Sequence, residues 1–208
     1  MELPLTFFQF RYCPARYLHA EHLPAALRQV VHALPHWRQD STINGWLLGE
    51  LELREGFDSP AQMGGLGLFE QPALEATLGA LGGLLHGQAI QRLVDQASLE
   101  RVLRALGEDG HRFCLEKWRL IIGQWPAGWQ RELPPGELEG YLLGCGLAFW
   151  LAACGDVAAG FARRLALRLA SAPAPPAWSM NDEQLKLART LCLKVARERS
   201  PACFHLLK

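Results

Sequence analysis

The sequence predicts an all-α fold, a single compact multi-helix domain over residues 1–208 built around one central apolar helix. Three observations predict it. Apolar residues recur at three-and-four spacing through most of the chain, the mark of helices that bury one stripe. Strand signals are scarce, and no run offers to pair with the aromatic N-terminal stretch. The third is the segment Glu137 to Asp156, E-L-E-G-Y-L-L-G-C-G-L-A-F-W-L-A-A-C-G-D, where Leu142, Leu143, Leu147, Phe149, Trp150 and Leu151 leave no polar side on a helical wheel. A helix that is apolar all round has to be enclosed by other helices or by lipid. Its uncharged run between Glu139 and Asp156 is 16 residues. That is about 24 Å at ~1.5 Å per residue, short of a hydrocarbon core of roughly 30 Å. The segment is therefore a protein core helix, and no direct membrane insertion is expected. Gly140, Gly144 and Gly146 each cost this helix about 1 kcal/mol against alanine, a cost that close approach of neighbouring helices would offset.

Taken in order, Thr6 to Tyr12 alternates loosely and carries four aromatic residues beside Thr6, Gln9 and Arg11, which predicts a short extended N-terminal arm packed on the core. Pro14 suits the first turn of a short helix reaching about Glu21. Pro24 opens a second with Leu23, Leu27, Val30, Val31 and Leu34 inward, and Pro35 ends it. Ser41 can cap a helix carrying Ile43, Trp46, Leu47 and Leu48. From Glu50 to Gln71 Gly, Pro and acidic residues are dense and periodicity is lost, so residues 50–71 read as a long acidic surface loop. Loops of this length inside a domain are often functional. Pro72 begins a long helix to about Ala97, with Gly82 and Gly83 as a bend. Ser98 caps a short helix stopped by Gly107, and another runs from Asp109 to Ile122. The connector Q-W-P-A-G-W-Q-R-E-L-P-P-G leads into the central helix. Asp156 then caps a helix with Phe161, Ala162, Leu165 and Leu169 inside and Arg163, Arg164 and Arg168 outside. Ser171 to Trp178 is a proline strap, extended because S-A-P-A-P-P-A-W cannot stay helical. The last helix, from about Met180 to Arg199, buries Leu185, Ala188, Leu191, Cys192 and Val195. Asp182 and Glu183 in its first turn and Arg197 and Arg199 in its last suit the helix dipole.

Composition excludes several functions. The 21 basic and 21 acidic residues cancel, so no global field draws the chain to nucleic acid. Charge is split, however, with 12 basic against 17 acidic residues up to Gly155 and 9 against 4 beyond it. Such a chain can face two partners of different sign, although a solvated helix face is the commoner explanation of such a split. The six cysteines form no C-x-x-C pair and sit mostly within apolar helical patterns, as buried thiols of a reducing cytoplasm do. His19 with His22 and His32 with His36 lack Cys or acidic partners at ligand spacing, and His86 lies in an apolar helix as a hydrogen-bonded core residue or a helix-packing polar group. There is no nucleophile elbow, and M-G-G-L-G-L lacks the Lys and Ser/Thr of a phosphate loop, so loop flexibility explains it better. Glu50, Glu52, Glu55 and Asp58 miss the calcium-loop pattern. No catalytic, cofactor or metal residue is assigned. Trp118 and Trp150 read as core, whereas Trp125 and Trp129, on the proline-braced connector, serve equally as core or interface anchors.

Motifs spread over nearly the whole chain resemble the YscK/PscK (SctK) family of bacterial type III secretion systems. They are F-R-Y-C-P-A-R-Y-L-H from Phe10, L-H-G-Q-A-I-Q-R from Leu85, L-I-I-G-Q-W-P-A-G-W-Q-R-E-L-P from Leu120, G-L-A-F-W-L-A-A from Gly146, R-L-A-L-R-L from Arg164, then T-L-C-L-K-V and the tail A-C-F-H-L-L-K. The resemblance implies a non-enzymatic adaptor in the bacterial cytoplasm, at the cytoplasmic face of the injectisome. It implies bridging of the inner-membrane ring protein (SctD type) to the pod protein (SctQ type), and through the pods to the stator and export ATPase (SctL and SctN types). The charge split adds a residue-level expectation: Arg163, Arg164 and Arg168 contact one partner, and the acidic loop at Glu55 and Asp58 the other, with Trp125 and Trp129 as further anchors. The alternative classes are a small helical enzyme with a buried pocket, and a helical chaperone or regulator unrelated to secretion.

Overall fold

The computed structural model describes residues 5–170 and 177–207, and among them there is no strand. Its centre is a pair of helices, α4 (Gln71–Leu85) and α7 (Glu139–Cys154). As its composition requires, α7 buries Leu142, Cys145, Leu147, Phe149, Trp150 and Ala153, and after Glu139 none of its residues is exposed. Glycine sets how closely the two helices approach. A Cβ on Gly82 would overlap the Leu142 carbonyl, and one on Gly146 would overlap the Leu78 carbonyl, so each helix seats its backbone in the other's notch. Gly82 and Gly83 are thus packing positions rather than a bend. A Cβ on Gly83 would lie 2.6 Å from the Cys114 sulfur.

Two long helices complete this body. α6 (Gln96–Lys117) packs on α4, and α9 (Asp182–Arg199) packs on α4 and α7. The expected stop at Gly107 is present as a kink with φ of 68°, separating two helical halves. The start of α6 is capped by Asp95, whose carboxylate accepts from Ser98 N at 2.8 Å, rather than by Ser98 itself. α9 starts with a reciprocal capping box between Asn181 and Gln184. Before α6, the long helix expected to reach Ala97 breaks at His86 and resumes as α5 (Gly87–Gln91).

Residues 5–53 form a smaller lobe of short pieces. α1 (Phe7–Tyr12) is a helix with its own capping box between Thr6 and Gln9, not the extended arm that its alternation suggested. α2 (Ala25–Val30) stops a turn early, which leaves Val30 and Leu34 exposed. α3 (Ser41–Glu50) is capped by Asp40. Ala15, Leu18, Leu23, Leu27, Leu47 and Leu53 make a separate apolar cluster with Leu167. Leu167 follows α8 (Ala159–Ala166), which ties the lobe to the body.

Residues 50–71 depart most from expectation. Glu50, Glu52, Glu55 and Asp58 are exposed, but Met63 to Phe69 are buried and contain a 3-10 helix, Gly64–Leu68. Its glycines are there for closeness: a Cβ on Gly65 would overlap the Leu206 carbonyl, and one on Gly67 would lie 2.7 Å from the Phe10 ring. The Trp150 indole N–H donates to the Met63 carbonyl at 3.3 Å, so this segment is part of the core around α7. Most of the proline strap, residues 171–176, lies outside the described residues.

Candidate interaction surfaces

The interior is chemically quiet. His86 donates from Nδ1 to the Gly82 carbonyl at 2.8 Å, with Nε2 3.4 Å from the Tyr141 hydroxyl, and burial lowers its pKa. A neutral ring carrying its proton on Nδ1 satisfies both contacts. Burial pushes the Cys114 and Cys154 thiols up to about 12 and Cys192 well above its usual value. Protonated thiols of this kind are poor nucleophiles. Among the described residues no three His, Cys, Asp or Glu side chains gather as a metal site. A shallow, open depression lies between the end of α6 and α9, lined by Glu116, Lys117, Leu120, Ile121, Lys194 and Arg197. Lys117 pairs with Glu198 at 2.7 Å, and Lys194 donates to the Ile121 carbonyl at 2.7 Å. These groups are engaged with each other rather than converging on a reacting atom.

The three arginines after Asp156 separate sharply. Arg163 is exposed and pairs with Glu52 at 3.0 Å. Arg164 and Arg168, expected outside, are 1% and 2% exposed. Arg164 donates to the carbonyls of Arg11 (2.9 Å), Leu53 (2.6 Å) and Gly160 (2.9 Å). Arg168 donates to the carbonyls of Gly67 (2.9 Å) and Phe69 (2.7 Å) and to the Gln71 amide oxygen at 3.3 Å. The physical reason is chain architecture. Short helices and turns end in carbonyls without intrahelical partners, and one guanidinium with five donors can satisfy several of them. Burial lowers both pKa values, that of Arg168 to about 10, so both stay charged at neutral pH. Burial likewise raises the adjacent Tyr17 phenol, although Arg164 and Arg168 oppose it.

The tryptophans separate too. Trp129 is buried, its ring 4.8 Å from that of Phe149, and belongs to the core. Trp125 is half-buried, 6.4 Å from Trp129, with its indole N–H donating to the Trp118 carbonyl. Of the expected contact residues, Arg163, Glu55 and Asp58 are on the surface, and they lie on one side rather than two. The Gly160 N–H, beside Arg163 in sequence, donates to the Gly56 carbonyl at 2.9 Å, and a Cβ on Gly160 would sit 2.7 Å from the Glu55 carbonyl. Two expected charge surfaces are therefore one mixed surface.

Beside this surface, α1 exposes Phe7, Phe8 and Tyr12. Sequence reasoning missed them by packing the whole run inward. The signal was present: T-x-x-Q from Thr6 to Gln9 is a helix-start pattern, and a helix there turns Phe10 inward and its neighbours out. The Arg11 guanidinium lies 5.1 Å from the Tyr12 ring centroid and 5.3 Å from that of Phe57, which directly precedes Asp58.

Comparison with known proteins covers the whole chain. Residues 4–208 match the family model for YOP proteins translocation protein K, YscK. Yop proteins translocation protein K of Yersinia pseudotuberculosis (serotype I, strain IP32953) and that of Yersinia enterocolitica are each 39% identical over 208 residues, 100% of both chains. The solved cytoplasmic domain of the type III secretion sorting-platform protein PscK from P. aeruginosa is 52% identical, with a TM-score of 0.81 over 98% of this chain and 99% of that one. The family-model match, the two full-length relatives and the PscK structure agree, and the chain belongs to the YscK family.

Proposed function

We propose that this chain is a cytoplasmic, non-enzymatic sorting-platform adaptor of a bacterial type III secretion injectisome, acting as one domain over residues 1–208. It bridges the cytoplasmic part of the inner-membrane ring protein (SctD type) to the pod protein (SctQ type), and so indirectly engages the stator and export ATPase (SctL and SctN types). The observation that carries this reading is the likeness to PscK, a sorting-platform protein, at 52% identity over 98% of the chain. The interior agrees with it, since the buried His86, Arg164 and Arg168 side chains are hydrogen-bonded to backbone carbonyls of the fold. So does the helical content: among the described residues no helix is long and apolar enough to cross a membrane.

Glu55, Asp58 and Arg163 face one of these partners together, because they share one side of the molecule. The test mixes the purified chain with the ring cytoplasmic domain and the pod protein, separately and together, and follows complexes by size-exclusion chromatography. A ternary complex is expected. Binding of neither protein defeats the adaptor reading, and binding of only one reduces it to an accessory role.

A further inference from the structure

We infer that α1 is the anchor of one protein–protein interface, docking its exposed aromatic side chains into an apolar cleft whose rim carries carboxylates. The inference rests on the adaptor reading and names the surface and the partner chemistry that it lacks. Phe8 is 66% exposed, Phe7 48% and Tyr12 43%, all on a six-residue helix. Exposed aromatics clustered with arginine have the composition of interface hot spots, which bury large rigid side chains at low entropic cost.

The patch is held rigid before any partner arrives. The Thr6 and Gln9 capping box closes the start of α1. Phe10 is fully buried, 5.7 Å from Phe161 and 5.2 Å from Tyr17 between ring centroids. Arg164 grips the Arg11 carbonyl at the other end at 2.9 Å. The Phe8 and Tyr12 rings already rest on each other at 5.1 Å. Little ordering is left for binding to require, which is how a small surface gains affinity.

Charge identifies the occupant. From Leu5 to Leu18 the charged residues are Arg11 and Arg16, both exposed, with no acid among them. A partner complementary to this stretch carries carboxylates around its apolar cleft. A membrane surface fits less well. Glu55 and Asp58 lie on either side of Phe57 under Arg11 and would meet the headgroups of a planar anionic bilayer, whereas a protein cleft can set its carboxylates opposite Arg11 and Arg16 and clear of both acids. A short helix pinned to the body also cannot sink its aromatic face into lipid without carrying that acidic edge with it.

The full chain is titrated calorimetrically with the ring cytoplasmic domain and with the pod protein, as wild type, as the Phe8→Ala/Tyr12→Ala double variant, and as Arg16→Glu. The double variant is expected to lose about tenfold or more in affinity for one partner, with the other within about twofold and its melting temperature unchanged. Arg16→Glu should weaken the same partner and reduce the salt dependence of that binding. It alters one exposed side chain, so it stands as a test even if the double variant proves unstable. If wild type binds both partners and both variants bind them equally well, the surface is wrong and the adaptor reading survives. If wild type binds neither, the two fall together. A Phe8-dependent dimer in sedimentation equilibrium, or Phe8-dependent pelleting with phosphatidylcholine/phosphatidylglycerol vesicles, would assign the patch to a second copy or to lipid and overturn the inference.

Discussion

The helical body and the N-terminal lobe are held together by different chemistry. In the body, α4 and α7 meet backbone to backbone at Gly82 and Gly146, and Leu74, Leu78, Leu81, Leu142, Phe149 and Trp150 fill the space around that contact. Long helices satisfy most of their own polar groups, so apolar packing does the rest. The lobe is made of pieces of three to ten residues, and each piece ends in carbonyls that it cannot satisfy internally. Arginines collect them. Arg164 does so across the seam, Arg168 does so for the Gly67 and Phe69 carbonyls of the 3-10 segment, and Arg38 does so within the lobe, donating to the carbonyls of Ala15 at 2.6 Å and Leu18 at 3.3 Å. The difference teaches that an arginine-rich segment can be an internal fastening as readily as a docking face.

The largest expected effect lies in the body. Trp150→Ala removes a fully buried ring at the centre of α7 and should cost about 3 to 5 kcal/mol, read by chemical denaturation. Near-wild-type stability would show that α7 is not the packing centre and would erase the contrast between the regions. Next is the seam. Arg164→Met keeps the aliphatic stem but strips hydrogen bonds from three carbonyls, and should cost about 3 kcal/mol. Hydrogen exchange should show the loss in α1 and α3 first, with α4 and α7 still protected. The control is Arg163→Met, whose exposed pair with Glu52 is worth under about 1 kcal/mol. Equal loosening of both regions would mean that lobe and body unfold as one unit.

The third prediction uses pH. Cys114 and Cys154 have folded pKa values of about 12 against an ordinary 9.0, so the folded state holds protons that the unfolded state releases. Their contribution is complete below pH 9 and is lost as pH rises from 9 towards 12. Between pH 9 and 10 stability should fall by about 1 kcal/mol for each such thiol, and Cys114→Ala should remove its own share of that slope. A melting temperature flat over this range would place these thiols in contact with water.

Several features were legible because their causes are local. The all-round apolar pattern of α7, the stop at Gly107, the acidic start and basic end of α9, and the hydrogen-bonded role of His86 each follow from residues within a few turns. The errors share a different origin. M-G-G-L-G-L reads as a flexible loop because glycine's local signal is freedom, yet Gly65 and Gly67 are small because Leu206 and Phe10 crowd them. For α1, the aromatic alternation outweighed the capping box that the same residues spelled out. Arg164 and Arg168 read as solvent-facing because a charge beside an apolar stripe is ordinarily solvated.

By itself, then, the sequence determined that this chain is helical, which segment is its most apolar helix, and through its motifs which family it belongs to. Tertiary structure alone decided which glycines are notches, which arginines are fastenings and which aromatics are left outside. Local periodicity records what a residue would do in an average surrounding. Two of the three carbonyls that Arg164 holds, those of Arg11 and Leu53, are more than a hundred positions away, and the fold alone brings them together.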